Sequence, residues 1–152
     1  AFAQAMYIVS FRITGTEEDA QVVLQESFVS AYRNLSHLRG DSTFGSWLKR
    51  IVVNKSINLL RTRKTQLMPE DEEFDIREAE PDEPYREELT VERVKVAMQA
   101  LPDGYRSVLS LYLLEGYDHE EIATILGITE STSKSQLNRA KARLKEYLTN
   151  KV

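Results

Sequence analysis

The chain has 152 residues, of which 41% are hydrophobic and 29% charged, a size that suits one domain or two small ones. It has no cysteine, which excludes disulfides, thiolate nucleophiles and cysteine-ligated zinc, and no apolar run of the roughly 18 residues that a membrane span needs. The net charge of −4 is uneven: residues 1–64 carry +4, residues 65–92 carry −10, and residues 93–152 carry +2. Because two basic blocks flank an acidic connector, the negative total does not argue against nucleic-acid binding.

The first block is predicted to be helical throughout. It opens inside a helical pattern, AFAQAMYIVSFRI, so we expect a further segment to precede it. Thr16 is a suitable N-cap for a second helix, because carboxylates follow it in the first turn. The apolar stripe of that helix comprises Ala20, Leu24, Phe28, Ala31 and Leu35. A third helix is predicted from about Ser46 to Lys64, after the loop LRGDSTFG, with Leu48, Ile51, Val52 and Leu59 facing inward.

Residues 65–92 are predicted to be a linker. The stretch contains few apolar residues, many acids and three prolines, Pro69, Pro81 and Pro84. Such a composition buries too little apolar surface to offset the entropy lost on ordering. We interpret it as an extended or flexible connector, with a merely solvating tether as the alternative.

The second block begins near Val91 and is also predicted to be helical. Pro102 closes its first helix, and Gly116 ends the next. Asp118 with Glu121 forms a capping-box pattern before a third helix. No segment alternates with period two for the length of a strand. The predicted fold class is therefore all-α, with two small helical domains at 1–64 and 93–152 joined by the linker.

The end of the chain has the pattern of a helix-turn-helix. One helix runs from Asp118 to Leu126, a turn follows at Gly127, and a second helix extends from Glu130 to about Tyr147. The outer face of the second helix presents Lys134, Asn138, Lys141 and Lys145, flanked by Ser135 and Arg139. Asn and Arg can pair with base edges in the major groove, whereas Ser and Lys suit phosphates. A solvated basic face is the alternative reading.

A second basic face is predicted in the first block, within KRIVVNKSINLLRTRK. Arg50, Asn54, Asn58 and Arg61 fall on one side of that helix, and the polar loop GDSTFGS precedes it. Basic groups beside a polar loop and aromatic rings suit a single strand with an unstacked base. For Trp47 and Phe44 ordinary core packing is the preferred alternative, and for the basic run a solvated face is the alternative.

Three ordered stretches together resemble one family. They are RITGTEEDAQVVLQESFVSAYRNL, LRGDSTFGSWLKRIVVNKSINLLRTRK and ALPDGYRSVLSLYLLEGYDHEEIATILGI. These resemble sigma factors of the extracytoplasmic-function class, over nearly the whole chain apart from the linker. The resemblance implies a cytoplasmic promoter-specificity subunit of bacterial RNA polymerase with no cofactor. Residues 1–64 would be its second conserved region and residues 93–152 its fourth.

The resemblance also implies roles for individual residues. Contact with the clamp helices of the largest polymerase subunit would fall to Asp19, Gln25, Glu26 and Phe28. The melted promoter element and its flipped base would contact Ser42, Thr43, Phe44, Arg50 and Asn54, with Arg61 on the same basic helix. The minus-thirty-five element would be read by Lys134, Ser135, Asn138, Arg139 and Lys141.

Further partners follow from the same resemblance. The first helices of the second domain would meet the flap of the second-largest subunit, and an anti-sigma protein would cover the polymerase-binding surfaces. The acidic linker would pass through the basic RNA exit path.

Two positions depart from the family pattern. Ser133 stands where the family commonly has an apolar residue, and Gln136 and Asn138 stand where Arg or His is frequent. The base preference of relatives therefore does not transfer to this chain.

Other functions fit the sequence less well than a sigma factor does. A stand-alone helix-turn-helix regulator that needs no polymerase is the main alternative, although it leaves the basic helix of the first block unexplained. An enzyme is disfavoured because the chain has only His37 and His119 as histidines, far apart, and no calcium-loop spacing among its acids. A protein-only scaffold is disfavoured by the two basic faces.

Overall fold

The computed structural model describes residues 2–38, 43–63 and 90–149, and within these ranges every regular element is helical. The helices are α1 (Phe2–Thr14), α2 (Glu17–Arg33), α3 (Phe44–Arg63), α4 (Val91–Ala100), α5 (Asp103–Leu109), α6 (His119–Leu126) and α7 (Glu130–Thr149). A 3₁₀ turn at Leu35–His37 follows α2, and a π-helical turn at Ser110–Leu114 follows α5. The all-α prediction is confirmed. The loop residues 39–42, which include Ser42, and most of the acidic linker lie outside the described residues.

Helices α1, α2 and α3 pack against one another and form the N-terminal domain. Its buried core includes Ile13, Val23, Leu48, Val52 and Leu60. The predicted cap is confirmed, because the Thr16 side chain accepts a hydrogen bond from the Asp19 backbone N–H. Placing Leu35 in the apolar stripe was wrong, since this side chain is 51% exposed. Helix α2 ends at Arg33, and the tighter turn that follows rotates Leu35 away from the buried face.

Helices α4 to α7 form the C-terminal domain, in which α5 and α6 pack on α7. Helix α4 begins at Val91 and is capped by Thr90. The sequence predicted one regular helix ended by Gly116, but its last turn is π-helical, with the Glu115 N–H bonded to the Ser110 carbonyl at 3.0 Å. Gly116 then takes a left-handed φ of +75°, which ends the helix as predicted.

The two domains contact each other through α1 with α5 and α3 with α6. At one of these contacts Arg106 of α5, which is 4% exposed, donates two hydrogen bonds to the Ile13 carbonyl at the end of α1. No motif in the sequence predicts these contacts, which place part of the predicted nucleic-acid surface against the C-terminal domain.

Candidate functional site

The outer face of α2 combines apolar and polar side chains. Val22, Val29 and Tyr32 are exposed there, next to the exposed Gln25 and Glu26. This face lies opposite the buried Val23 and Ser27, so it contributes nothing to the core of its own domain. Exposed valines and a tyrosine among polar groups have the composition of a protein-binding surface.

The four residues predicted to dock on polymerase lie in different settings on α2. Gln25 and Glu26 line a groove between α2 and α3, together with Val29, Arg33 and Lys55. Asp19 belongs to the helix cap, where its carboxylate accepts a hydrogen bond from the Thr16 hydroxyl at 2.7 Å. Phe28 is half-buried and packs on the core. The structure therefore presents Gln25 and Glu26 at the surface, and Asp19 and Phe28 contribute to the local framework.

The residues at the start of α3 form its cap and its aromatic packing. The Thr43 hydroxyl accepts a hydrogen bond from the Ser46 N–H at 3.2 Å, so Thr43 caps the helix. The Phe44 ring lies edge-on to Phe2 with 5.4 Å between centroids, and 6.0 Å from the Trp47 ring. These contacts favour ordinary packing over base stacking as the role of the Phe44 and Trp47 rings.

The polar side of α3 brings together three of the predicted strand-binding residues. Asn54 is exposed, and Asn58 follows it one turn later. Arg50 and Arg61 instead contact the C-terminal domain: Arg50 lies 3.9 Å from the Glu121 carboxylate, and Arg61 donates to the Ile125 carbonyl at 3.1 Å. In this conformation the middle of the predicted surface is free of contacts with the C-terminal domain, whereas Arg50 and Arg61 make such contacts and are still partly exposed to solvent.

The helix-turn-helix has the capping geometry that the sequence predicts. Asp118 and Glu121 form a capping box at the start of α6. Gly127 takes a left-handed φ of +70° after α6, and the Ile128 N–H bonds to the Ala123 carbonyl at 3.0 Å. The Thr129 hydroxyl then accepts from the Thr132 N–H and caps α7. These local bonds fix the angle at which α7 leaves the turn.

The exposed row of α7 is present as predicted. Lys134, Asn138 and Lys141 are exposed, Ser135 is half-buried at the edge of the row, and its hydroxyl donates to the Ser131 carbonyl. Arg139 is half-buried, and its Nε has no hydrogen-bond partner among the described residues. The row can therefore face a duplex, with Arg139 at its inner margin.

Two residues at the departures from the family pattern prove to be buried. Gln136 is 4% exposed and lies on the buried side of α7, so its side chain cannot contact DNA bound to the outer face of this helix. Ser133 is fully buried, and its hydroxyl lies 2.7 Å from Nδ1 of His119, whose ring stacks on Tyr112. Sequence analysis missed this bond, which joins the first turn of α6 to the first turn of α7 and replaces the apolar contact expected there.

The Ser133–His119 bond should contribute measurably to the stability of the helix-turn-helix. We expect Ser133→Ala to lower the free energy of unfolding by about 1 kcal/mol, the net contribution of a typical hydrogen bond. The loss should not be larger, because water can still solvate the half-exposed imidazole of His119. A double-mutant cycle with His119→Ala, followed by urea unfolding, measures the coupling. Ser135→Ala is the matched control, since it removes only a hydroxyl bonded within α7. Strictly additive losses would show that the two side chains do not act together.

The described residues contain no sign of a metal site or a membrane span. Among residues 2–38, 43–63 and 90–149 no group of three or more His, Cys, Asp or Glu side chains is arranged to hold a metal ion. In that part of the chain no helix is both long and apolar enough to cross a bilayer.

Comparison with known families gives two matches that divide the chain. Residues 1–66 match the family described as Sigma-70 region 2, and residues 92–144 match Sigma-70, region 4. The matched segments correspond to the N-terminal and C-terminal domains.

Several curated proteins are similar over almost the whole chain. The RNA polymerase sigma-H factor of Pseudomonas aeruginosa is 34% identical over 148 residues, covering 90% of this chain and 77% of the relative. The ECF RNA polymerase sigma-E factor of Haemophilus influenzae is 32% identical, covering 90% and 76%. The ECF RNA polymerase sigma factor SigE of Mycolicibacterium smegmatis is 28% identical, covering 96% of this chain but only 58% of the relative.

Two solved structures share the fold. The sigma factor RpoE in complex with the anti-sigma factor NepR from Bartonella quintana superposes with a TM-score of 0.65 at 22% identity, covering 99% of this chain and 94% of the other. CnrH in complex with the cytosolic domain of CnrY gives a TM-score of 0.56 at 26% identity, covering 95% and 80%.

Proposed function

This chain belongs to the sigma-70 family of RNA polymerase sigma factors, in the extracytoplasmic-function (ECF) class, and we propose that it directs bacterial RNA polymerase to promoters through two separate DNA contacts. Helix α7 binds the minus-thirty-five element as a duplex, and α3 with the loop before it binds the opened minus-ten strand. The chain acts in the cytoplasm, as a binding subunit and not as an enzyme.

The observation that carries the proposal is the pairing of two polar, basic helix faces on two domains of one chain. The helix-turn-helix presents Lys134, Asn138 and Lys141 outward from α7, which Thr129 caps. The N-terminal domain presents Asn54 on the polar side of α3. A stand-alone regulator has use for the first face only, so the second face favours promoter opening.

Two exposed apolar surfaces suit the polymerase. On the N-terminal domain, Val22, Val29 and Tyr32 of α2 would dock on the clamp helices beside Gln25 and Glu26. On the C-terminal domain, Val91 and Val96 of α4 are both exposed and would meet the flap. An anti-sigma protein is proposed as a further partner, because the two similar structures are of proteins in complex with such a factor or with a separate cytosolic domain.

The mechanism divides the energetic work between the domains. Phosphate contacts of α7 fix the register on the duplex. Unstacking a base costs a few kcal/mol, which the contacts of α3 to the extruded base and its strand offset in part. Because each domain makes few contacts, the polymerase supplies the fixed spacing between them and so lowers the entropic cost of binding both elements.

Run-off transcription tests the proposal directly. Core polymerase is incubated with fragmented genomic DNA, with and without the chain, and the 5′ ends of the RNA are read. Discrete starts that need the chain and share two upstream elements are the expected result. If the chain binds duplex DNA alone and yields no starts, the stand-alone regulator is correct and the α3 face is a solvated surface.

The exposed lysines of α7 should contact phosphates. We expect Lys141→Ala to weaken promoter binding a few-fold and to reduce the slope of log affinity against log salt by about 0.9, the value for one lost phosphate contact. Holoenzyme binding to a promoter found by run-off transcription, measured across a salt series, gives both quantities. Lys95→Ala on α4 removes an exposed lysine elsewhere in the same domain and should leave the slope unchanged. An unaltered slope for Lys141→Ala would remove this residue from the DNA contact.

A further inference from the structure

The first two turns of α7 leave few polar side chains available to DNA. At the cap, the Thr129 hydroxyl donates to the Thr132 hydroxyl at 2.8 Å. One turn later, the Ser135 hydroxyl donates to the Ser131 carbonyl at 3.1 Å. Two further polar residues, at the positions that depart from the family pattern, are buried. Most polar groups of these turns are therefore engaged in building the helix-turn-helix.

Two charged side chains of these turns, Glu130 and Lys134, have no such role. Both are exposed, and among the described residues neither side chain makes a hydrogen bond or an ion pair. They lie one turn apart on the stripe that continues through Asn138 and Lys141. The stripe proposed to face the duplex therefore begins with a carboxylate, to which no motif in the sequence assigns a function.

The carboxylate of Glu130 is not needed to cap α7. The Thr129 hydroxyl already accepts a hydrogen bond from the Thr132 N–H at 3.0 Å. A first-turn carboxylate also interacts favourably with the helix macrodipole, which is the alternative role for Glu130. On a DNA-facing stripe, however, phosphates repel a carboxylate on every sequence. A hydrogen-bond donor on a base edge would offset that repulsion.

The major groove offers two such donors, the amino groups at cytosine N4 and adenine N6. An ionised carboxylate only accepts hydrogen bonds. Adenine carries the acceptor N7 beside its amino group, and this acceptor repels the second oxygen of a carboxylate. Cytosine has no acceptor on its own major-groove edge, whereas guanine and thymine present acceptors there. The chemistry of Glu130 therefore suits cytosine and disfavours the other three bases.

Lys134 complements this preference. Glu130 precedes it by four residues, which is the more favourable order for a Glu–Lys pair on a helix. An ammonium group can donate to guanine O6 and N7. A carboxylate and an ammonium group one turn apart therefore match the cytosine and the guanine of one base pair.

Asn138 must contact a different base pair from Glu130. Residues eight positions apart are separated by about 12 Å along a helix axis, which is more than three base-pair steps of about 3.4 Å. In helix-turn-helix proteins the N-terminal residues of the second helix contact base edges. The preference set by Glu130 should therefore lie at one end of the recognised element.

We propose that Glu130 is a specificity-determining residue, whose carboxylate selects a cytosine at one end of the minus-thirty-five element. The proposal rests on the function above only in taking the outer face of α7 as the duplex-binding surface. Because phosphates repel Glu130 on every sequence and the base contact offsets this on one, the residue contributes selectivity and not overall affinity.

Selection from a duplex library measures this preference. Holoenzyme, assembled from core RNA polymerase and the full chain, binds a promoter found by run-off transcription in which the upstream element is randomised. Sequencing of the bound duplexes gives the preference at each position. Wild type should favour cytosine about tenfold at one terminal position of the element. Glu130→Gln should lose this preference and admit adenine, because a carboxamide pairs with adenine N6 and N7, and should leave the other positions within about twofold.

Glu120→Gln is the matched control. It removes the same charge from an exposed carboxylate in the first turn of α6, the other helix of the helix-turn-helix. The control should keep the wild-type preference at every position, even where its overall affinity for duplexes rises. Glu130→Ala supplies no carboxamide, so it should lose the preference for cytosine without gaining one for adenine. Circular dichroism should show that all three variants are folded, since both positions are exposed.

Two results would overturn the proposal: an unchanged preference at every position in Glu130→Gln, or the same loss of cytosine preference in Glu120→Gln. A parallel selection with the free chain, on a random duplex library at low salt, separates this failure from a failure of the proposed function. Discrete starts together with an unchanged preference reject the cytosine contact alone. Absent starts, with a cytosine preference of the free chain that Glu130→Gln removes, reject the sigma function alone.

Discussion

Val29→Asp should reduce the affinity of the chain for core RNA polymerase by about 30-fold or more. Val29 is 51% exposed on α2, between Gln25, Glu26 and Tyr32, at the centre of the surface proposed to meet the clamp helices. Hot-spot residues near the centre of an interface cost about 2 kcal/mol or more when they are truncated, and a carboxylate buried there without a partner adds its desolvation cost. Fluorescence anisotropy of a labelled chain titrated with core polymerase measures the loss.

The same substitution should leave the fold intact, which makes the result specific. The side chain lies on the solvent side of α2, so the free energy of unfolding should change by no more than about 0.5 kcal/mol. Gln21→Asp, also exposed on α2 but to one side of the apolar patch, introduces the same charge and should bind core polymerase nearly as well as wild type. Wild-type affinity of the Val29→Asp chain would place the polymerase contact on another surface.

Local features of the fold could be predicted because their causes lie within a few residues. The cap at Thr16 and the capping box of Asp118 with Glu121 each need only side chains three positions apart. The turn at Gly127 needs a backbone that tolerates positive φ, and glycine signals this by itself. The π-helical turn at Ser110–Leu114 was missed because its apolar spacing is that of an ordinary helix, and Leu35 was misplaced because the end of α2 was set too late.

The features that determine access to the candidate site depend on distant residues. Arg106 and Ile13 are 93 positions apart, and the acceptor is a backbone carbonyl with no side-chain signature. In the sequence, Ser133 is a polar residue at a position expected to be apolar. The structure shows why it is tolerated there, because His119 lies within hydrogen-bond distance of its hydroxyl. Periodicity correctly put Arg50, Asn54 and Arg61 on one side of α3, but it carries no information about which of them contact the other domain. Local sequence patterns therefore predict which residues share this surface, but not which of them contact the other domain.

Asn54→Ala tests the exposed part of that surface and should slow open-complex formation by at least roughly tenfold. A well-placed amide contact to a base discriminates by about 1–3 kcal/mol, and Asn54 is exposed on α3 between the two engaged arginines. Core-polymerase affinity should be unchanged, because the surface proposed to dock on the polymerase lies on α2. Permanganate reactivity of thymines in the melted region, followed over time on a promoter identified by run-off transcription, gives the rate.

Asn58→Ala removes the same group one turn further along α3 and should have a smaller effect. An equal loss of polymerase binding and strand opening in Asn54→Ala would show that Asn54 supports the fold of the domain and does not contact the extruded base.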